Sequence, residues 1–488
     1  MQSDDLVHLG AAELARLIRS SQADPLEVVD AHIRVIERLN PTINALVTAT
    51  FDQARDETRR LRERLTVSMV DLPPLFGVPV TIKDSLPVAG VRFTAGSTFH
   101  RDNVATRDAE AVRRLKAAGA IVLGKTNCSD MSGSAETSNL IFGLTRNPWS
   151  LDHSAGGSSG GEAALIACGG SPLGLGADLG GSIRIPAAFC GVVGLKPTGG
   201  RIPTDGHIPQ VGAAISHWGT VGPIARRVED VAIALSVLSD TPVTDYRSID
   251  LMGRRLVIPR YMSSLPVSPE VADAVENAAT ALRTVGMVEE RVTLPMMKVA
   301  LESTIILCQE WLPEFRATLG GGQAIGLWAE LMAHLRGKPR VSSAVMMPVA
   351  IGCLLRPLFR FLGHGHLQTM EQLRDSILQS MGPGAVLLWP VFPTTAPRHG
   401  FAWKPNKGPN YTLVFNCLGF PAIAVPVGLS NNGLPLSVQI IGQPNEDETV
   451  LAVAATLEKA FGGWKPPGSL KDCEFPAPGL ICQGRGVH

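Results

Sequence analysis

The sequence predicts an α/β fold. Short apolar, β-branched segments alternate along the chain with segments that carry apolar residues at helical spacing. The chain has 488 residues, of which 45% are hydrophobic, which is enough for a large buried core. Disordered chains are much poorer in apolar residues, so that class is excluded.

The alternation is clearest in the first half of the chain. Asn40-Pro41 is a helix stop signal, Thr106 is a helix-capping residue type, and Gly119 suits the position just after a helix. The predicted elements are helices at 14–19 and 28–39, a strand at 75–82, a helix at 106–118 and a strand at 120–123.

The second half repeats the pattern more loosely. The predicted strands are 255–258, 386–389, 422–427 and 436–441, followed by a helix at 448–460. Residues 297–381 are helical in pattern and predict a cap inserted on the sheet. We predict one large domain over 1–465 and a Pro/Gly-rich C-terminal tail over 466–488.

Charge and cysteine usage restrict the class of protein. The 44 basic and 44 acidic residues cancel, so we predict no nucleic acid as a partner. The N-terminus, Met1 to Leu14, has no apolar segment typical of a signal peptide. The eight scattered cysteines lack zinc-type spacing and predict reduced thiols, a cytoplasmic location and no metal site.

One apolar segment in the cap raises the question of a membrane. Residues 341–355 are apolar, and the overlapping stretch Leu354 to Leu362 includes Arg356 and Arg360. The segment is too short to cross a hydrocarbon layer of about 30 Å. We favour a lid or core helix pair over a helix lying on a membrane surface.

Glycine is concentrated in one part of the chain. Fourteen of the fifty glycines lie between Gly156 and Gly200. The pattern of a phosphate-binding loop is absent, and the interleaved apolar residues are not typical of a flexible linker. The remaining interpretation is an oxyanion loop, because consecutive small residues expose backbone N–H donors.

That interpretation places the loop at Leu179-Gly180-Gly181-Ser182, with Ser182 positioned to attack a carbonyl. No histidine base accompanies it in the pattern GxSxG, but serine–lysine variants exist. Lys83 ends the apolar stretch Val78 to Ile82, where burial would lower its pKa. On spacing alone, an ordinary strand-end lysine remains the favoured alternative.

The motifs resemble the amidase signature family over roughly Leu14 to Gly463. The matching segments are Gly77 to Asp84, Gly156 to Ala187, Phe189 to Thr198, Gly219 to Arg226 and Phe415 to Ala422. The resemblance implies one α/β/α domain with a mixed, twisted central sheet, helices on both faces and the helical cap. The stretch 75–230 would then carry the catalytic residues.

The resemblance also implies site residues. Ser182 would be the nucleophile, Ser158 would bridge it to Lys83 after a cis peptide bond, and the N–H groups of Leu179 to Ser182 would bind the oxyanion. Asp178, Arg184 and Ser159 would support the loop. The residues expected to line the acyl site are Met131, Ser132 and Ser134, with a simple connecting loop as the alternative.

Within the family, the segments Gly160 to Ile166 and Gly170 to Gly176 are most similar to the fatty acid amide hydrolase branch. This implies a cofactor-free hydrolase of hydrophobic or aryl amides that forms an acyl-enzyme. Alternatives are a carbamate or ester hydrolase with the same triad, and the amidase component of a tRNA-dependent amidotransferase complex. The expected partners are a small amide or carbamate substrate, a second copy in a homodimer, and a membrane surface for a peripherally bound enzyme.

Overall fold

The computed structural model describes residues 3–67, 72–260, 267–361, 365–401 and 410–468. Most of the predicted tail lies outside these residues. The helices are α1 (Ser3–Leu6), α2 (Ala11–Arg19), α3 (Pro25–Ile43), α4 (Phe51–Val67), α5 (Glu110–Ala117), α6 (Gly160–Ala167), α7 (Arg184–Cys190), α8 (Val228–Leu238), α9 (Pro269–Thr284), α10 (Met296–Ile306), α11 (Leu312–Leu319), α12 (Leu327–Leu335), α13 (Ser343–Phe361), α14 (His366–Met381), α15 (Asn410–Cys417) and α16 (Asp447–Phe461).

Most of the described strands form one mixed sheet. The strands are β1 (Leu46–Ala49), β2 (Pro79–Lys83), β3 (Ile121–Thr126), β4 (Ser138–Asn139), β5 (Gly143–Leu144), β6 (Arg146–Asn147), β7 (Ser150–Ser154), β8 (Leu173–Asp178), β9 (Val193–Lys196), β10 (Thr220–Ala225), β11 (Arg255–Pro259), β12 (Val288–Val292), β13 (Val386–Pro390), β14 (Ala422–Leu429) and β15 (Pro435–Ile441). Eleven of them are ordered β1-β3-β2-β8-β10-β9-β14-β15-β13-β11-β12. β2 is parallel to β3 and β8, β11 is parallel to β12 and β13, and the other neighbours are antiparallel.

Both faces of the sheet are covered by helices. Side chains of a strand point alternately to either side, so each face carries apolar residues that have to be buried. In β3, Val122 packs in one apolar cluster while Ile121 and Leu123 pack in another. Helices α2, α5, α8, α9 and α16 contribute to the first cluster, and α6 and α7 contribute to the second. The predicted α/β class, with helices on both faces of a mixed sheet, is confirmed.

Several predicted boundaries in the first half are wrong. The helix expected to stop at Asn40-Pro41 continues to Ile43, whose side chain is fully buried. It ends at Asn44, which adopts a left-handed conformation and donates its N–H to Asn40 O. The gain from burying Ile43 outweighs the hydrogen bond that Pro41 cannot make.

The predicted cap at Thr106 is also wrong, since α5 begins at Glu110. The N–H of Ala109 donates to Pro87 O at 2.9 Å, which ties the preceding chain to another loop. Gly119 does follow this helix, with a φ of 89° that favours glycine. The strand predicted at 75–82 begins at Pro79, because residues 74–77 form a turn.

Helices α10 to α14 follow one another between Met296 and Met381. Leu312, Phe315 and Val345 from these helices pack with Met131 of the core in a separate apolar cluster. We call this helical segment the cap. Among the described residues, no helix is both long and apolar enough to cross a membrane.

Candidate active site

Two neighbouring strands bring the predicted site residues to one edge of the sheet. β2 ends at Lys83 and β8 ends at Asp178, and the two strands are parallel neighbours. Equivalent ends of parallel strands lie at the same edge, so the chain leaving β8 starts beside Lys83. That chain is the glycine-rich loop that carries Ser182.

The lysine contacts the predicted bridging serine. Lys83 is fully buried, and its Nζ lies 2.6 Å from Ser158 Oγ. The peptide bond between Gly157 and Ser158 is cis, as the resemblance implied. A Cβ at Gly157 would lie 2.8 Å from the backbone of both Ala135 and Glu136, so only glycine fits beneath that segment.

Ser182 is half-buried at the rim of the same site. Its carbonyl accepts a hydrogen bond from the N–H of Ser159 at 3.2 Å, which joins the oxyanion loop to the start of α6. Lys83, Ser158 and Ser182 line one cavity of about 220 Å³. The structure therefore brings the three predicted catalytic residues together.

One of the four predicted oxyanion donors is already used. The N–H of Gly181 donates to Asp178 Oδ1 at 2.7 Å. Among the described residues, none accepts a hydrogen bond from the N–H of Leu179, Gly180 or Ser182. Three donors thus remain for a developing negative charge on a substrate oxygen.

Asp178 anchors the loop that follows β8. It is buried and paired with Arg184 at 3.0 Å, and its Oδ2 accepts a hydrogen bond from the N–H of Ile183. Burial alone would raise the pKa of Asp178, but Arg184 and the N–H donors hold it well below its usual range. The carboxylate therefore stays ionised and fixes the loop.

Two further residues complete this anchor and were not among the predicted site residues. Asn416 donates to Asp178 Oδ1 at 3.0 Å and accepts from Arg184 Nη2 at 2.5 Å. Gln439 accepts from Arg184 Nη1 at 3.0 Å. Each is an uncharged polar residue between two apolar neighbours in the sequence, and that was the available signal, since buried polar groups need partners.

Burial sets the protonation of the lysine. It lowers the pKa of Lys83 from 10.5 to about 8, although the carboxylates of Asp178 and Glu162 act in the opposite direction. Glu162 itself is buried and accepts hydrogen bonds from the hydroxyls of Thr81 and Thr126. A substantial neutral fraction of Lys83 near pH 8 is what a proton acceptor requires.

The three predicted acyl-site residues have different positions. Ser132 lines the cavity. Met131 is buried in the cluster between core and cap, and Ser134 donates its N–H to Ser129 Oγ. Met131 and Ser134 are not among the residues that line the cavity.

Sequence reasoning also missed part of the cavity wall. The loop after β9 contributes Thr204, Asp205, His207 and neighbours, and the cap contributes Trp311. The Trp311 ring stacks on Phe315 with ring centroids 4.1 Å apart. These residues lie far from Lys83 and Ser182 in sequence, and no motif marked them.

The chain is similar to known proteins over most of its length. The Amidase family model matches residues 27–451. The chain is 33% identical to fatty-acid amide hydrolase 2-A of Danio rerio, covering 96% of this chain and 91% of that protein. It is 32% identical to a glutamyl-tRNA(Gln) amidotransferase subunit from Sulfurihydrogenibium, covering 91% of this chain and 95% of that protein.

The fold is also similar to that of a solved amide hydrolase. The structure of 6-aminohexanoate cyclic dimer hydrolase with its substrate matches with a TM-score of 0.81 and 27% identity, covering 96% of this chain and all of that one. The resemblance predicted from the motifs is confirmed, and the chain belongs to the amidase signature family of hydrolases.

Proposed function

We infer that this protein hydrolyses amides through an acyl-enzyme, with Ser182 as nucleophile and Ser158 and Lys83 as its proton relay. The observation that carries the proposal is the 2.6 Å contact between Lys83 Nζ and Ser158 Oγ at a cavity that Ser182 also lines. A buried amine with a lowered pKa in contact with a hydroxyl is typical of an activated serine.

The proposed mechanism has two halves. Neutral Lys83 accepts a proton from Ser158 as Ser158 takes one from Ser182, whose Oγ attacks the substrate carbonyl. The N–H groups of the loop stabilise the resulting oxyanion. The proton returns through Ser158 to the leaving nitrogen, the C–N bond breaks, and the acyl group stays on Ser182. Water then attacks the ester by the same relay and releases the acid.

The cavity favours a hydrophobic or aryl substrate. Leu179 and Val211 line it together with Trp311, and aromatic side chains provide flat apolar contact area. The proposed catalytic residues Lys83, Ser158 and Ser182 line the same cavity. An amide with an apolar or aromatic substituent fits both features.

The test is a set of variants at the proposed catalytic residues. We expect Ser182→Ala to abolish both anilide hydrolysis and labelling by a fluorophosphonate, and Lys83→Ala to lose nearly all turnover. Ser171→Ala is the control, because Ser171 is a buried serine that precedes β8, whereas Ser182 follows it. Full activity of Ser182→Ala would overturn the assignment.

Carbamates and esters remain alternative substrates, since the same acyl-enzyme forms from all three classes. Relative kcat/KM for a matched anilide, carbamate and ester, with varied acyl length, identifies the preferred class. If the carbamate or ester is strongly preferred, the enzyme is a carbamate or ester hydrolase with the same triad.

A second candidate rests on the likeness to the glutamyl-tRNA(Gln) amidotransferase subunit. Such a role requires a complex with other proteins. Size-exclusion chromatography of the isolated chain, combined with a glutaminase assay, tests it. The same run shows whether the chain is a homodimer, which stays a prediction.

Contact with a membrane surface also stays a proposal. It is supported by large apolar side chains of the cap that are mostly exposed: Trp328, Leu335, Leu354 and Phe361. Exposed apolar area of this kind is unusual on a monomeric protein in water. Co-sedimentation with phosphatidylcholine vesicles tests the proposal, with Leu354→Glu expected to weaken binding.

A further inference from the structure

A histidine in the cavity wall has a fixed tautomer. His207 lies in the loop after β9, and its Nδ1 is 3.0 Å from Pro209 O. A carbonyl oxygen only accepts hydrogen bonds, so Nδ1 carries the proton and donates. The other ring nitrogen, Nε2, therefore presents a lone pair.

That lone pair has no partner within the described residues. The His207 residue is only partly buried, but its Nε2 atom is enclosed and unpaired. His207 lines the same cavity as Lys83 and Ser182. An enclosed acceptor without a partner is unusual, because such atoms nearly always find one.

Protonation does not remove the acceptor. Burial of the ring lowers the pKa of His207 well below its ordinary value, and the positive charge of Lys83 acts in the same direction. At the pH where Lys83 becomes neutral, His207 is a neutral acceptor. It is therefore suited to receive a hydrogen bond from a ligand and unsuited to donate one from Nε2.

A second unpaired group lies in the same wall. Ser132 Oγ is buried without a partner among the described residues, and Ser132 lines the cavity. A hydroxyl can either donate or accept. His207 is the more informative of the two, because its Nε2 can only accept.

We propose that His207 Nε2 accepts a hydrogen bond from the N–H of the scissile amide or carbamate, so that the site selects substrates bearing that N–H. This inference rests on the proposed function and deepens it by naming the substrate class. A secondary amide supplies the donor, whereas the matching ester and the N-methylated amide do not. Engaging the N–H also leaves the lone pair of the leaving nitrogen free to receive the proton from Ser158.

The test compares three matched substrates: an anilide, its N-methyl derivative and the corresponding aryl ester. In the wild type we expect the anilide to be preferred to its N-methyl derivative. His207→Phe removes the acceptor while keeping a ring, and we expect it to lower kcat/KM for the anilide about tenfold to a hundredfold. The ester and the N-methyl anilide are expected to change by less than about threefold, because neither has the N–H to lose.

The chain offers a matched control. His100 is also partly buried, its Nδ1 lies 2.8 Å from Asn103 Nδ2, and its Nε2 has no partner among the described residues, but it is not among the residues that line the cavity. We expect His100→Phe to leave the anilide-to-ester ratio unchanged. His207→Asn, which keeps a side-chain acceptor, is expected to recover part of the anilide activity.

The outcomes separate this inference from the proposed function. If His207→Phe lowers all three substrates equally, or none, while Ser182→Ala remains inactive, the N–H inference is wrong and the hydrolase proposal stands. If Ser182→Ala is fully active, the hydrolase proposal fails first. If His207→Phe does not fold, the wild-type enzyme still decides, since equal rates with the anilide and its N-methyl derivative would overturn the inference.

Discussion

The protonation of Lys83 gives a pH dependence whose sign and size follow from the structure. Lys83 has to be neutral to accept a proton, and its pKa is lowered to about 8 by burial. As the pH rises through that value, the ammonium loses its proton and the active form accumulates. Activity should therefore rise with pH over this range.

The size of the rise follows from the titration of one group. A group with a pKa near 8 is neutral in about 9% of molecules at pH 7 and about 91% at pH 9. We therefore expect kcat/KM, and the rate of fluorophosphonate inactivation, to increase about tenfold between these two pH values. An ordinary lysine with a pKa of about 10.4 would instead place the midpoint above pH 10.

A charge variant assigns the titration to Lys83. Glu162 raises the pKa of Lys83 electrostatically, so Glu162→Gln should move the midpoint to lower pH. Lys196 is also buried with a pKa lowered to about 7 by burial, and the charged side chains that act on it most are Arg184, Asp178 and Asp447. The surface variant Glu276→Gln should leave the midpoint in place.

Three results would refute the reasoning. A rate that does not change between pH 7 and 9 would mean that Lys83 is not the proton acceptor. A midpoint unmoved by Glu162→Gln would assign the titration to another group, such as Lys196. If the pH dependence disappears in Glu162→Gln, the titrating group is Glu162 itself, whose pKa is raised to about 7 by burial.

Further predictions concern the oxyanion loop. Gly181→Ala should abolish hydrolysis and lower Tm, because Gly181 has a φ of 116° and an added Cβ would lie 2.2 Å from Thr412 Oγ1. Gly180→Ala is the control for Tm, since its added Cβ would have no neighbour closer than 3.6 Å. Equal Tm values for the two variants would contradict the steric argument. Asp178→Asn should lower the free energy of unfolding by about 3–5 kcal/mol, because it leaves the buried Arg184 without a carboxylate partner. Chemical denaturation measures this free energy. An unchanged denaturation midpoint would show that the ion pair is not needed for stability.

Much of the fold could be predicted from local pattern. Strands at Arg255–Pro259, Val386–Pro390 and Pro435–Ile441 and the helix at Asp447–Phe461 lie within two residues of their expected bounds. Each is bounded by residues that break secondary structure, and each has the periodicity of its type. The predictions failed at Pro41 and Thr106, where burial of Ile43 and a hydrogen bond to Pro87 outweighed the local signal.

The site divides in the same way. The sequence by itself determined the family and indicated Lys83, Ser158 and Ser182 as candidate catalytic residues. Where two backbone segments approach closely only glycine fits, and glycines at such fixed positions are recognisable as a motif. Only the tertiary structure decided that Asn416 and Gln439 complete the anchor of Asp178 and that His207 and Trp311 line the cavity. These side chains come from loops, the cap and distant strands, and their proximity depends on the order and register of the sheet. Local sequence does not encode that order, since it results from how every strand and helix buries its apolar face against the others.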